Sequence, residues 1–196
     1  MDFRLLFKPL KTKPSASNLA QKIEDAIYIN SDEFPDWSSA SIVLFSVSSH
    51  GNDDFAKEIR NEFYQLNTGY SNSFIVDLGI LKAGVTYEET LTRIKEVCKE
   101  LISNKIIPLI LADNHSLNFG VFQSYEADLT NVLTIDSRID LLDSEEKNEN
   151  HTKELILHEP NYLYNYAHLG YQSYLNPPEV FEMLEKLNFD RIRLGE

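Results

Sequence analysis

Ile107-Pro108-Leu109-Ile110-Leu111-Ala112-Asp113-Asn114-His115-Ser116 is an apolar run that breaks directly into a polar cluster. Such a run reads as a strand, and the carboxyl ends of strands are where open α/β sheets bind ligands. A helix is expected after it, over about residues 117–129. The next strand, Asn131-Val132-Leu133-Thr134-Ile135, ends in a second polar cluster, Asp136-Ser137-Arg138-Ile139-Asp140. Upstream, Ser41 to Val47 is apolar on both faces, as in a strand covered by helices on both sides. Ser73 to Leu78 is another strand. Between these two, Asp53 and Asp54 open a helix with Phe55, Ile59, Phe63 and Leu66 at helical spacing. Thr86-Tyr87-Glu88-Glu89 is a capping box, followed by a stripe of Leu91, Ile94, Val97, Cys98, Leu101 and Ile102. Strand and helix alternate, which implies a three-layer α/β/α fold around a mainly parallel sheet.

The remaining segments fit that plan. A helix is expected near Asn18 to Tyr28. Ser144 to Lys153 is charged and reads as a solvated loop or the start of a helix. Tyr162 to Leu169 reads as a strand, Pro177-Pro178 opens a helix to about Leu187, and Arg191 to Glu196 reads as a last strand. Of the histidines, His50 reads as a surface loop residue and His151 and His158 as solvent-facing. His168 falls in a strand among Tyr162, Tyr164 and Tyr166, which read as packing residues. Trp37 reads as a loop anchor.

Composition narrows the function. The 196 residues carry 31 acids against 18 bases, a net charge of -13, so neither nucleic acid nor an anionic membrane is an expected partner. No apolar run reaches the roughly 18–20 residues that span a bilayer. The single cysteine, Cys98, excludes an internal disulfide and points to the cytoplasm. With 7 glycines there is no Gly-x-Gly-x-x-Gly and no Gly-Lys-Ser/Thr loop. Ser46, Ser48, Ser49 and Ser116 are available as nucleophiles, but none sits in a Gly-x-Ser-x-Gly elbow. What remains is one histidine and two carboxylates, His115, Asp136 and Asp140, at the ends of two strands. These are ligand types that manganese accepts.

The order of these pieces resembles the ureohydrolase superfamily of arginases, agmatinases and formiminoglutamases, and the formiminoglutamase-like branch most of all. Phe55 to Tyr64 is similar to the family's PDAIRxxLY helix. Val76-Asp77-Leu78-Gly79 is similar to its xDLGN strand end. Ile107 to Ser116 resembles IPIxLGGDHS, Val132 to Asp140 resembles the xxxxDAHxD stretch, and Leu169-Gly170-Tyr171-Gln172 resembles IGYQ. The resemblance implies one arginase-like α/β domain over 1–196, the N-terminal part of a longer fold. It also implies a dimanganese hydrolase of guanidino or formimino C–N bonds, working through a metal-bound hydroxide. His115, Asp136 and Asp140 match metal-ligand positions.

Departures from the family pattern change the expected function. Arg138 stands where DAHxD has its histidine, and a guanidinium cannot coordinate a metal. Ala112 and Asp113 replace the two glycines of GGDHS, and Asn114 its aspartate. The family's third metal motif is not found in this sequence. The expectation is therefore a degraded site, with manganese absent or weakly held and Arg138 pairing with Asp136 or Asp140. The alternative is the N-terminal part of an active hydrolase, and a weaker third is a single-metal hydrolase using His115, Asp136 and Asp140. Because late strands lie mid-sheet in the family, open sheet edges and self-association are also expected.

Overall fold

A computed structural model describes residues 2–11, 22–68, 73–125, 128–141 and 147–196. The chain forms two compact units, Met1–Gly120 and Val121–Glu196. In the first, β3 (Ile42–Val47) is central and almost wholly buried, as an uninterrupted apolar run requires. It pairs in parallel with β4 (Ile75–Leu81) on one side and β5 (Ile107–Ala112) on the other. The outer side of β4 takes β2 (Ile27–Ile29) in parallel and β1 (Phe7–Lys8) antiparallel. The helix expected near Asn18 to Tyr28 is a correction. Only Ile23–Ala26 is helical (α1), and Ile27–Ile29 pairs with β4 instead; 12–21 lie outside the described residues. Trp37 stacks on buried Phe3 with ring centroids 4.7 Å apart, which is how it anchors its loop.

Two helices complete the first unit. In α3 (Tyr87–Ser103), Thr86 Oγ1 accepts the Glu89 N–H at 3.1 Å and the Glu89 carboxylate reaches back to the Val85 N–H at 2.7 Å. The predicted stripe is buried from Leu91 to Leu101. Burial pushes the Cys98 thiol up to about 12, so it is inert as a nucleophile. In α2 (Asp54–Tyr64) the predicted face holds only in part: Phe55 and Phe63 are half-buried, and Phe63 packs against Ile23, Ile27, Leu44 and Tyr64. Ile59 and Leu66 are exposed, and the buried line runs Ala56, Arg60, Tyr64.

The reason is an ion pair that apolar periodicity cannot see. Arg60 Nε and one terminal nitrogen donate to both oxygens of Asp77, at 2.7 and 3.1 Å. Its other bonds go to the Gly79 carbonyl at 2.9 Å and Ser46 Oγ at 3.1 Å. Asp77 also accepts from Tyr64 Oη at 2.6 Å and the Gly79 N–H at 2.7 Å. Burial and that carboxylate raise the Tyr64 phenol well above its usual value. Gly79 has φ +84°, and a Cβ there would stand 2.4 Å from the Lys8 carbonyl oxygen, so β1 and β4 require glycine.

The second unit holds a three-stranded parallel sheet: β6 (Thr130–Ile135), β7 (Leu163–Tyr171) and β8 (Asp190–Arg193), in that order. The short α4 (Asn118–Gln123) precedes it in sequence, in place of the longer helix expected over 117–129. α6 (Pro178–Leu187) packs Val180 and Leu184 on one face of the sheet, with Ile139, Leu141 and Tyr166. On the other face, Leu133 and Ile135 of β6 are exposed. The charged segment expected as loop or helix start is a full helix from Lys147, α5 (Lys147–Leu157); 142–146 lie outside the described residues.

Candidate metal centre

β6 delivers the Asp136-Ser137-Arg138-Ile139-Asp140 turn. The Asp136 N–H donates to the Leu169 carbonyl at 3.0 Å, keeping the turn's first residue beside β7. Its carboxylate folds back on the turn: Oδ1 accepts the Arg138 N–H at 3.0 Å and Ser137 Oγ at 3.3 Å. Asn176, buried after the last short turn before α6, clamps the rest. Its amide donates to the Ser137 and Gln172 carbonyls at 3.0 and 2.8 Å, and its oxygen accepts the Ile139 N–H at 2.7 Å. The clamp drives Ile139 into the core and Asp140 inward, leaving Arg138 exposed.

Asp140 is 7% exposed and meets a residue that the sequence reading had placed in solvent. His151, on α5, is only 4% exposed, and its Nδ1 lies 3.1 Å from Asp140 Oδ2. The next residue, Thr152, donates its N–H to the Asp140 carbonyl at 3.1 Å. α5 therefore docks on Asp140 through two consecutive residues. The charged surroundings of His151 hid this, although Leu155 one turn further along shares the buried side.

A second buried histidine stands beside the turn. His168 Nε2 lies 2.9 Å from the Asp136 carbonyl, and its Nδ1 lies 2.9 Å from Tyr166 Oη. A carbonyl only accepts, so Nε2 carries the proton and Nδ1 accepts from the tyrosine. Burial lowers the His168 pKa, against the opposing pull of the Asp136 carbonyl and the Asp136 and Asp140 charges. Tyr166 is thus a core residue with a structural hydroxyl, while Tyr164 is exposed. Asn176 and His168 carry no motif signal in the sequence.

His115 belongs to the first unit, at an exposed position opening a single 3-10 turn after β5. Asn114 caps that turn: its side-chain oxygen accepts the Ser116 N–H at 2.8 Å and Ser116 Oγ at 2.6 Å. Asp113 ties β5 to the loop after β3. Its carboxylate accepts Ser48 Oγ at 2.7 Å and the Ser49 N–H at 2.9 Å. Burial works against the ionised form, but these bonds outweigh it and lower the Asp113 pKa. His50, in the same loop, is exposed. A separate cleft of about 710 Å³ in the first unit is lined by the basic residues Lys8, Lys11, Lys57 and Arg60 and by the acids Asp53 and Asp54.

Asp136 and Asp140 therefore share one turn of the second unit, and His115 stands in the first. Arg138 offers no lone pair and one Asp136 oxygen is turned onto its own backbone, so this turn alone does not supply the ligands of a pair of manganese ions. Asp140 Oδ2 and His151 Nδ1, both buried and 3.1 Å apart, are a carboxylate and an imidazole of the kind a single divalent cation accepts.

The alternating strands and crossover helices define an α/β architecture built on mainly parallel sheet, with an aspartate-bearing turn after β6. The arginase family profile matches residues 47–196, and the chain belongs to the arginase family. No curated protein matches it. Among solved structures, it is similar to formimidoylglutamase from Bacillus subtilis subsp. subtilis str. 168, at 17% identity and TM-score 0.70. That match covers 94% of this chain and 64% of the other. It is similar to the agmatine ureohydrolase of Thermoplasma volcanium at 19% identity and TM-score 0.66, over 90% of this chain and 62% of that one. A T. brucei arginase-like protein, solved as a quadruple mutant, matches at 13% identity and TM-score 0.56, over 81% of this chain and 58% of that one. Three of its four changes fall at alternate positions: serine to aspartate, arginine to histidine, serine to aspartate. This chain spans less than two thirds of the length of each of these structures. Among the described residues, no helix is long and apolar enough to cross a membrane.

Proposed function

We propose that this chain is an arginase-family domain with a degraded dimanganese site, acting as a scaffold or binding module without hydrolysing C–N bonds itself. The observation that carries the reading is Arg138. It sits on the turn between Asp136 and Asp140, where the family's ligand histidine is expected, and its guanidinium repels a divalent cation. The T. brucei arginase-like protein supports the reading. There an arginine was changed to histidine at the middle of an equally spaced triple, so arginine at such a place occurs in another arginase-like chain. In our reading Asp140 is held instead by His151, which makes the old ligand part of the packing of α5. Buried Cys98 suits a reducing compartment, and we place the protein in the cytoplasm.

Mn²⁺ titration of metal-free protein by calorimetry tests this. The expected result is no stoichiometric heat at micromolar metal. One-to-one or two-to-one micromolar binding overturns the proposal. His115, Asp136 and Asp140 still match family positions, which favours a second reading: the N-terminal part of an active metal-dependent hydrolase of guanidino or formimino substrates. That reading expects a longer polypeptide of the same protein to hydrolyse such a substrate with added Mn²⁺, and Asp140→Ala to abolish the activity.

A further inference from the structure

In a chain of net charge -13, the cleft of the first unit gathers three lysines. Lys8 comes from β1, Lys11 from the segment after it and Lys57 from α2. All three are exposed, and among the described residues none of them makes an ion pair. Two acids share the cleft. Asp53 and Asp54 open α2, where the helix dipole favours negative charge. Burial raises the Asp53 carboxyl, against the pull of Lys8 and Arg60.

Both walls of the cleft are fixed. α2 contributes Lys57, Arg60, Asn61 and Tyr64, which recur at the three- and four-residue spacing of one helical face. Arg60 and Tyr64 are buried there and bonded to Asp77. The other wall is β1 and its continuation, pinned on both sides of Lys8. The Lys82 N–H donates to the Leu6 carbonyl and the Leu10 N–H to the Asn30 carbonyl, both at 2.9 Å. β4 and β3 separate β1 from β5, the strand at the other end of the same sheet, so the cleft is made well away from that edge.

The type of base decides which anion fits. A guanidinium fork matches a planar carboxylate, whereas an ammonium acts as a point charge and serves phosphate well. The one guanidinium here is spent: Arg60 gives four N–H groups to Asp77, Gly79 and Ser46. What remains is three point charges, a closer match to the doubly charged phosphate monoester than to a single carboxylate. The cleft is also larger than a bare phosphate ion. Its volume of about 710 Å³ is that of a small-molecule site, and Pro9, Leu10 and Ile80 add apolar surface.

We infer that this cleft binds a small phosphorylated organic molecule, its phosphate held by Lys8, Lys11 and Lys57 and its body against Pro9, Leu10 and Ile80. The site belongs to the first unit alone, so it stands apart from the reading of the Asp136 to Asp140 turn.

Calorimetric titration of the full chain with phenyl phosphate tests this, with inorganic phosphate and benzoate as comparison probes. Phenyl phosphate is expected to bind one to one, and more tightly than either probe that lacks its body or its phosphate. Lys11→Ala together with Lys57→Ala should weaken it by about tenfold or more. Both side chains are exposed, and an unchanged circular dichroism spectrum confirms that the variant is folded. Asp53→Asn should tighten binding, because it removes a repelling carboxylate. Absence of binding by phenyl phosphate overturns the inference, as does equal affinity in the double variant and the wild type. Benzoate or inorganic phosphate binding as tightly as phenyl phosphate also overturns it, and so does weaker binding by Asp53→Asn.

Discussion

Arg60 and Asp77 show how much one residue pair governs here. Both are nearly free of solvent, and every hydrogen-bonding direction of the carboxylate is filled by Arg60, Tyr64 or Gly79. Removing one partner of such a pair strands a buried charge, which costs about 3–5 kcal/mol. Arg60→Met is expected to lower the urea unfolding free energy by that much. Arg60→Met with Asp77→Leu should recover part of the loss, because no lone charge remains. A single variant as stable as the wild type would show that the pair is relaxed in solution. Asp77 was visible in the sequence only as a match to a family strand end. Nothing in it indicated that Arg60 would be its partner, because a charged residue on an apolar helix reads as the solvent side.

Elements were legible where their signals were local. Capping and periodicity are neighbour effects, so α3 could be read to within a residue from Thr86, Glu89 and its apolar stripe. Thr86→Ala is expected to cost about 1 kcal/mol through loss of the N-cap bond, measured as a drop in denaturation midpoint. Glu89→Ala should cost part of the same amount, since both belong to one box. β6, β7 and α6 were legible for the same reason. α5 was not, because its burial depends on Asp140, a residue distant in sequence that holds His151 and Thr152. α1 and β2 were misread because Ile27 to Ile29 extends only by pairing with β4. Of the candidate site, the Asp136 to Asp140 turn and His115 came from motifs. Its actual supports, Asn176, His151 and His168, are tertiary partners that no short pattern encodes.

For the whole molecule, the buried neutral His168 ties stability to pH. Its pKa in the folded chain lies below the ordinary 6.5, so between the two values the unfolded chain binds a proton that the folded chain refuses. Its contribution is complete above the unfolded value. It is lost as pH falls from there through the folded pKa. The denaturation midpoint is expected to fall between about pH 7.5 and about pH 5.5, and less steeply in His168→Gln. Equal slopes in the two proteins would remove His168 as the cause. The Asp113 tie bears on how the strand ends are held together. Where the family resemblance expects glycine, this carboxylate holds the Ser48 hydroxyl and the Ser49 amide. Glycine at 113 would remove the acceptor of both donors, one of them the buried Ser48 hydroxyl, at a cost of about 1–3 kcal/mol. The carboxylate works as a clasp: it fastens the loop after β3 to the end of β5, so the two segments move as one. Asp113→Gly would unfasten the loop while leaving both strands paired, and slower-exchanging amides of the loop would become fast without a matching change in β3 or β5.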